Sequence, residues 1–77
     1  MVRAYVLFNV ESGAEEQVLK KVKLIDDIQE AYVTYGVYDL VLKVNADSSE
    51  GLKQLVTQRL RTIDNVRSTM TLMLTEE

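Results

Sequence analysis

Apolar and polar residues alternate along positions 2–10, Val-Arg-Ala-Tyr-Val-Leu-Phe-Asn-Val, which places Ala4, Val6, Phe8 and Val10 on one face at period two and predicts a strand. The period then changes. Ala14, Val18, Val22 and Ile25 recur at four- and three-residue steps, while Glu16, Lys20, Lys21 and Lys23 fall off that stripe, so an amphipathic helix is expected to run to about Asp26-Asp27. Glu16 and Lys20 stand in favourable (i, i+4) order. Ahead of them, Ser12-Gly13-Ala14-Glu15 has the form of a capping box: the serine hydroxyl would accept from the amide of residue 15 while the Glu15 carboxylate reaches back.

Alternation returns over 28–35, is interrupted at Gly36, and resumes from Tyr38 to Ala46. A glycine between two such runs predicts a tight antiparallel hairpin, because glycine supplies the positive φ these turns require. Asp47-Ser48-Ser49-Glu50 is a second box-like cap, and Leu52, Leu55, Val56, Leu60 and Ile63 form a stripe at helical spacing. Asn65, well suited to a left-handed C-cap, closes this helix, and 66–75 makes a last strand.

The predicted order is βαββαβ. Two right-handed β-α-β units with strands 1 and 3 in the centre give an α+β, ferredoxin-like fold: a four-stranded antiparallel sheet with two helices on one face, as one domain over residues 1–77. There is no proline, linker or low-complexity segment.

Composition narrows the function. A chain of 77 residues buries only about 63% of its extended surface, and without cysteine or histidine neither a disulfide nor a Cys/His zinc site reinforces the core. Thiolate nucleophiles, imidazole bases and the common haem ligands are absent with them, and no cofactor is expected. The 9 Lys+Arg against 12 Asp+Glu give a net charge of −3, and the charges are interspersed, which argues against sequence-independent nucleic-acid or anionic-membrane binding. No apolar run is long enough to span a bilayer, and Met1-Val2-Arg3 leads straight into the first strand without a signal-peptide core, so a cytoplasmic location is expected. Asp26-Asp27 and Glu76-Glu77 read as a solvated loop and a terminus, not a metal site.

Two helices cover one sheet face only. With Ala4, Val6, Phe8, Leu40, Leu42, Val44, Met70, Leu72 and Leu74 assigned to the helix side, the other face would carry Tyr5, Leu7, Val41 and Met73, flanked by Lys43, Arg67, Thr69 and Thr71. Such a plane measures about 300 Å². Half apolar, it predicts a homodimer paired sheet face to sheet face.

The segment Thr34-Tyr35-Gly36-Val37-Tyr38-Asp39-Leu40 is the most unusual local sequence. A carboxylate beside a glycine turn can accept from a ligand ammonium, and amides freed by the turn can donate to a carboxylate, a pairing that suits an α-amino acid. The plainer reading keeps Gly36 for the turn, Asp39 for nearby backbone and Tyr38 for packing.

The run Gly36-Val37-Tyr38-Asp39-Leu40-Val41-Leu42-Lys43-Val44, a leucine-striped helix, and Val66-Arg67-Ser68-Thr69-Met70-Thr71-Leu72-Met73-Leu74 together resemble the effector-sensing RAM domain of the Lrp/AsnC transcriptional regulators. The resemblance covers essentially the whole chain. It implies the βαββαβ fold, dimerisation through the sheet, assembly of dimers into higher homo-oligomers, and an amino acid effector held where dimers meet. Carried onto matching positions, the ligand-binding residues are Tyr35, Gly36, Tyr38 and Asp39 from the hairpin and Thr69, Met70 and Thr71 from the last strand. Full family members carry an N-terminal helix-turn-helix; Met1 here precedes the first strand closely, so a stand-alone module without direct DNA contact is expected. Asn65 stands where the family pattern has glycine.

An oligomerising, amino-acid-binding regulatory module is therefore the favoured function. A scaffold that co-assembles with full-length Lrp/AsnC regulators without any ligand uses the same surfaces. A small dimeric ferredoxin-like enzyme would need Asp39 and Tyr38 as base and donor, and a lone carboxylate without a partner is poorly suited to that work. An ACT-type domain has the same chain order, but Gly13 already has a role before the first helix.

Overall fold

The computed structural model describes residues 2–74; the predicted end of the last strand at Thr75 and the Glu76-Glu77 pair lie outside the described residues. The elements are β1 (Val2–Val10), α1 (Glu15–Val22), β2 (Ile28–Val33), β3 (Leu40–Ala46), α2 (Ser49–Leu55) continued by a π-type segment (Val56–Leu60), and β4 (Val66–Leu74). The strands form one antiparallel sheet in the order β2-β3-β1-β4, so β1 and β3 are central and the ferredoxin-like expectation holds.

Period-two alternation in the two central strands buries Ala4, Val6 and Phe8 with Leu40, Leu42 and Val44. On them pack Val18 and Val22 of α1 and Leu52, Leu55, Val56 and Leu60 from the second helical region, as their helical spacing requires. α1 stops at Val22, short of the expected Asp26-Asp27, because the chain tightens into turns in which the Ile25 amide donates to the Val22 carbonyl at 3.0 Å. Ala14 and Ile25 join the core from outside the helix. In the π-type segment the Arg61 amide donates to the Val56 carbonyl at 2.8 Å, and both Val56 and Leu60 stay buried across the widened turn.

The two caps behave differently. Ser48 is the N-cap of α2, its hydroxyl accepting from the Gly51 amide at 3.0 Å. Ser12 caps nothing: Gly13, at φ 88°, turns the chain, the Ala14 amide donates to the Glu11 carbonyl, and α1 begins only after Ala14. Glu15 does reach back, but to the Gly13 amide at 3.3 Å. A turn that closes on backbone bonds displaces the helix start and leaves the serine outside it. Asn65 adopts φ 74°, and its carbonyl accepts from the Glu11 amide at 2.8 Å.

Two further expectations are corrected. The tight hairpin at Gly36 is a six-residue loop, 34–39, because the Asp39 amide donates to the Phe8 carbonyl at 2.8 Å and residue 39 is thereby drawn to β1. Gly36 sits in this loop at φ 139°.

The second correction concerns β4. Its register sets Thr69 opposite Phe8, Thr71 opposite Val6 and Met73 opposite Ala4, so these three share the helix side; Met70, Leu72 and Leu74 lie beside Leu7, Tyr5 and Arg3 on the open face. Both sets alternate equally well, and a shift of one residue exchanges the faces of a strand. The open face is consequently more apolar than the sequence implied: Tyr5, Leu7, Tyr32, Val41, Met70, Leu72 and Leu74 all belong to it.

Candidate functional site

The loop 34–39 and the adjoining ends of β1 and β4 form the site. Thr34 clasps the loop: its amide donates to the Asp39 carbonyl and its hydroxyl to the Tyr38 carbonyl, each at 2.8 Å. Tyr35 at the tip is fully exposed and Val37 is 83% exposed, so the apolar side chains of the tip point at solvent.

Asp39 is anchored twice to β1. Its amide bonds Phe8, and its carboxylate accepts from the Val10 amide at 2.9 Å. Tyr38 reaches β4, where its hydroxyl donates to Met70 Sδ at 3.2 Å. The sheet is irregular here: Asn9 faces Ser68 but Val10 faces Val66, leaving Arg67 as the extra residue of a bulge. Asn9 Nδ2 donates to Ser68 Oγ at 3.2 Å, and Arg67 Nε lies 3.7 Å from a Glu11 carboxylate oxygen.

Asn9, Val10, Asp39, Arg67 and Ser68 line an open recess of about 340 Å³. It presents one carboxylate and one guanidinium. Of the seven residues singled out from the sequence, Tyr38, Asp39 and Met70 come together around this end of the sheet, while Tyr35 and Gly36 lie farther out in the loop. Thr69 and Thr71 project from the helix side of β4, away from Met70, and Thr71 borders a groove with Leu52, Val56 and Met73 beside α2. Asn9 and Ser68 were not anticipated; their opposition depends on the register of β1 with β4, which spacing within either segment does not reveal.

A second polar cluster lies on the open face, where the Tyr32 hydroxyl donates to the Glu30 carboxylate and Lys43 Nζ stands 3.7 Å from the same group. The hydrogen bond to Glu30, followed by the carboxylate charge, raises the Tyr32 pKa above the usual phenol value. With Tyr5 and Val41 these residues enclose a depression of about 110 Å³. A third recess, about 340 Å³, is lined by Asp26, Asp27, Gln29, Asn45, Ala46, Asp47 and Gly51 at the other end of the sheet. Among the described residues no group of His, Cys, Asp or Glu is arranged to hold a metal ion, and no helix is long and apolar enough to cross a membrane.

The fold is thus a ferredoxin-like α+β domain with a largely apolar open sheet face and a charged recess at one end of its sheet. Residues 3–77 match the family described as Lrp/AsnC ligand binding domain. The regulatory protein AsnC of Escherichia coli K12 is 36% identical over 55 residues, 71% of this chain and 36% of that protein. The crystal structure of FFRP-DM1 superposes with a TM-score of 0.93 at 35% identity, covering 97% of this chain and 100% of that one. A feast or famine regulatory protein from M. tuberculosis, described as complexed with L-methionine, has the same fold at a TM-score of 0.84 and 24% identity, over 100% of this chain and 52% of that one. The chain belongs to the Lrp/AsnC ligand-binding domain family, whose E. coli member is a regulatory protein. It spans well under two thirds of the curated regulator it matches first.

Proposed function

We propose that this chain is an effector-sensing module that binds an α-amino acid at the loop 34–39 end of its sheet and pairs with a second copy through the open face. The observation that carries the reading is the recess in which the half-buried Asp39 carboxylate, held by the Val10 amide, borders the same space as Arg67 and Ser68 of β4. An ammonium group can bond the carboxylate there without disturbing the fold. The L-methionine complex of the M. tuberculosis relative supports the ligand class.

Pairing follows from the face itself. Tyr5, Leu7, Tyr32, Val41, Met70, Leu72 and Leu74 form a contiguous apolar surface of the kind that monomers seldom leave open. Further association of dimers would bring the exposed Tyr35 and Gly36 of one pair toward the recess of another; Tyr38 and Met70 lie at the open face, and Thr69 and Thr71 on the helix side of β4 contribute only if the contact between dimers reaches that side as well. An effector lodged at that contact favours the assembly that completes its pocket, and the output is a change in the state of transcription regulators that share these surfaces, not catalysis.

A ligand-free assembly module is the second reading. It is favoured by the fact that Asp39 and Arg67 already have partners within the chain, Val10 and Glu11. Calorimetric titration with each standard L-amino acid, paired with sedimentation in its presence and absence, separates the two. Heat and a change in particle size support sensing; a stable dimer indifferent to every amino acid leaves the scaffold.

A further inference from the structure

We propose that Arg67 receives the carboxylate of the amino acid and that Glu11 is a built-in competitor for the same guanidinium, setting the affinity of the site. The inference rests on the effector-binding reading above and adds the second half of the recognition.

Three features place Arg67 in this role. It is the extra residue of the β-bulge opposite Asn9 and Val10, and a bulge re-aims the side chain it carries; without it Arg67 would follow the ordinary alternation of β4. Its side chain lines the same recess as Asp39, so the two opposite charges needed by a zwitterion, an acceptor for the ammonium and a fork of donors for the carboxylate, border one space of about 340 Å³. Finally, its present partner is held loosely: Arg67 Nε and the Glu11 carboxylate are 3.7 Å apart, with side chains 65% and 58% exposed.

An ion pair of that length and exposure contributes little and is easily exchanged. A ligand carboxylate, tied to the protein through its own ammonium on Asp39, replaces Glu11 with an acceptor presented at high effective concentration. Glu11 is released to water at small cost. The Glu11 amide remains bonded to the Asn65 carbonyl, so the exchange moves a side chain and not the backbone.

The test titrates each standard L-amino acid, and for every one that binds its carboxamide, into wild-type protein, Arg67→Gln, Glu11→Gln and the charge control Glu16→Gln. Arg67→Gln should weaken amino acid binding by about tenfold or more, the size of a lost charge-assisted bond. Glu11→Gln should tighten it by about two- to fivefold, the worth of an exposed ion pair, and Glu16→Gln should leave it unchanged. The carboxamide should bind wild type and Arg67→Gln alike. If wild type binds an amino acid and Arg67→Gln binds it equally well, the carboxylate assignment is wrong while the site reading stands. If Glu11→Gln has no more effect than Glu16→Gln, Glu11 is not the competitor. Absence of binding to wild type by all of them removes the effector reading and this inference with it.

Discussion

Tyr38, in the loop between β2 and β3, donates its hydroxyl hydrogen bond to Sδ of Met70 on β4 at 3.2 Å, although 31 residues of chain separate them and the two strands nearest the loop do not touch β4. The contact ties the loop to the far edge strand on the open side of the sheet.

The Asp39 carboxylate accepts a charge-assisted bond from the Val10 amide. Replacing it in Asp39→Ala leaves that amide without its acceptor and should cost about 1–3 kcal/mol of stability, read as a lowered denaturant midpoint at unchanged slope. Asp39→Asn, which retains an acceptor oxygen, should lose less. Equal stability of the alanine variant and wild type would show that the anchor is dispensable.

The two serines offer a paired comparison. Ser48 caps α2 and Ser12 caps no helix, so Ser48→Ala should destabilise by about 1 kcal/mol while Ser12→Ala should be close to neutral. Thermal unfolding of the two variants side by side decides whether the displaced start of α1 is right.

On β4, adjacent residues should behave oppositely. Leu72 is on the open face and Met73 on the helix side. With the open face paired as proposed, Leu72→Glu should shift the protein to monomers in sedimentation, because an unpaired charge within such an interface is costly, whereas Met73→Glu at a half-exposed position on the other side should leave association intact. Dissociation by Met73→Glu and not by Leu72→Glu would reverse the face assignment.

Phenolate absorbance followed with pH should show a phase displaced above the ordinary phenol range, and in Tyr32→Phe that phase should vanish. The sign follows from the neutral phenol being the form that bonds Glu30. Because the folded pKa is raised above the ordinary value of 10.0, the stabilisation is fully present below pH 10.0 and is lost only as pH climbs through the higher folded value. Near neutral pH this contribution is constant, so the group adds no pH dependence to stability there.

Most of the fold could be read before any coordinates. Period-two runs in β1 and β3 named their buried residues correctly, the four-three spacing of Val18, Val22, Leu52 and Leu60 named the helix faces, and Asn65 signalled a left-handed turn. Each of these is a local property: the spacing of side chains along one element sets which of them share a face, whatever that element meets. The recognition of the family rested likewise on residues contiguous in the chain.

Tertiary structure alone decided the rest. Which face of β4 points outward depends on its pairing with β1, since Thr69, Thr71 and Met73 alternate as regularly as Met70, Leu72 and Leu74. The span of the loop at Gly36 depends on Asp39 bonding to Phe8 and Val10, partners on a strand thirty residues upstream. The recess joins residues of three separate segments, Asn9 and Val10 of β1, Asp39 of the loop, and Arg67 and Ser68 of β4, with Arg67 the extra residue of the bulge. Sequence carries the periodicities that build elements; hydrogen-bond register between distant segments, which no local pattern encodes, determines the surfaces that elements present together.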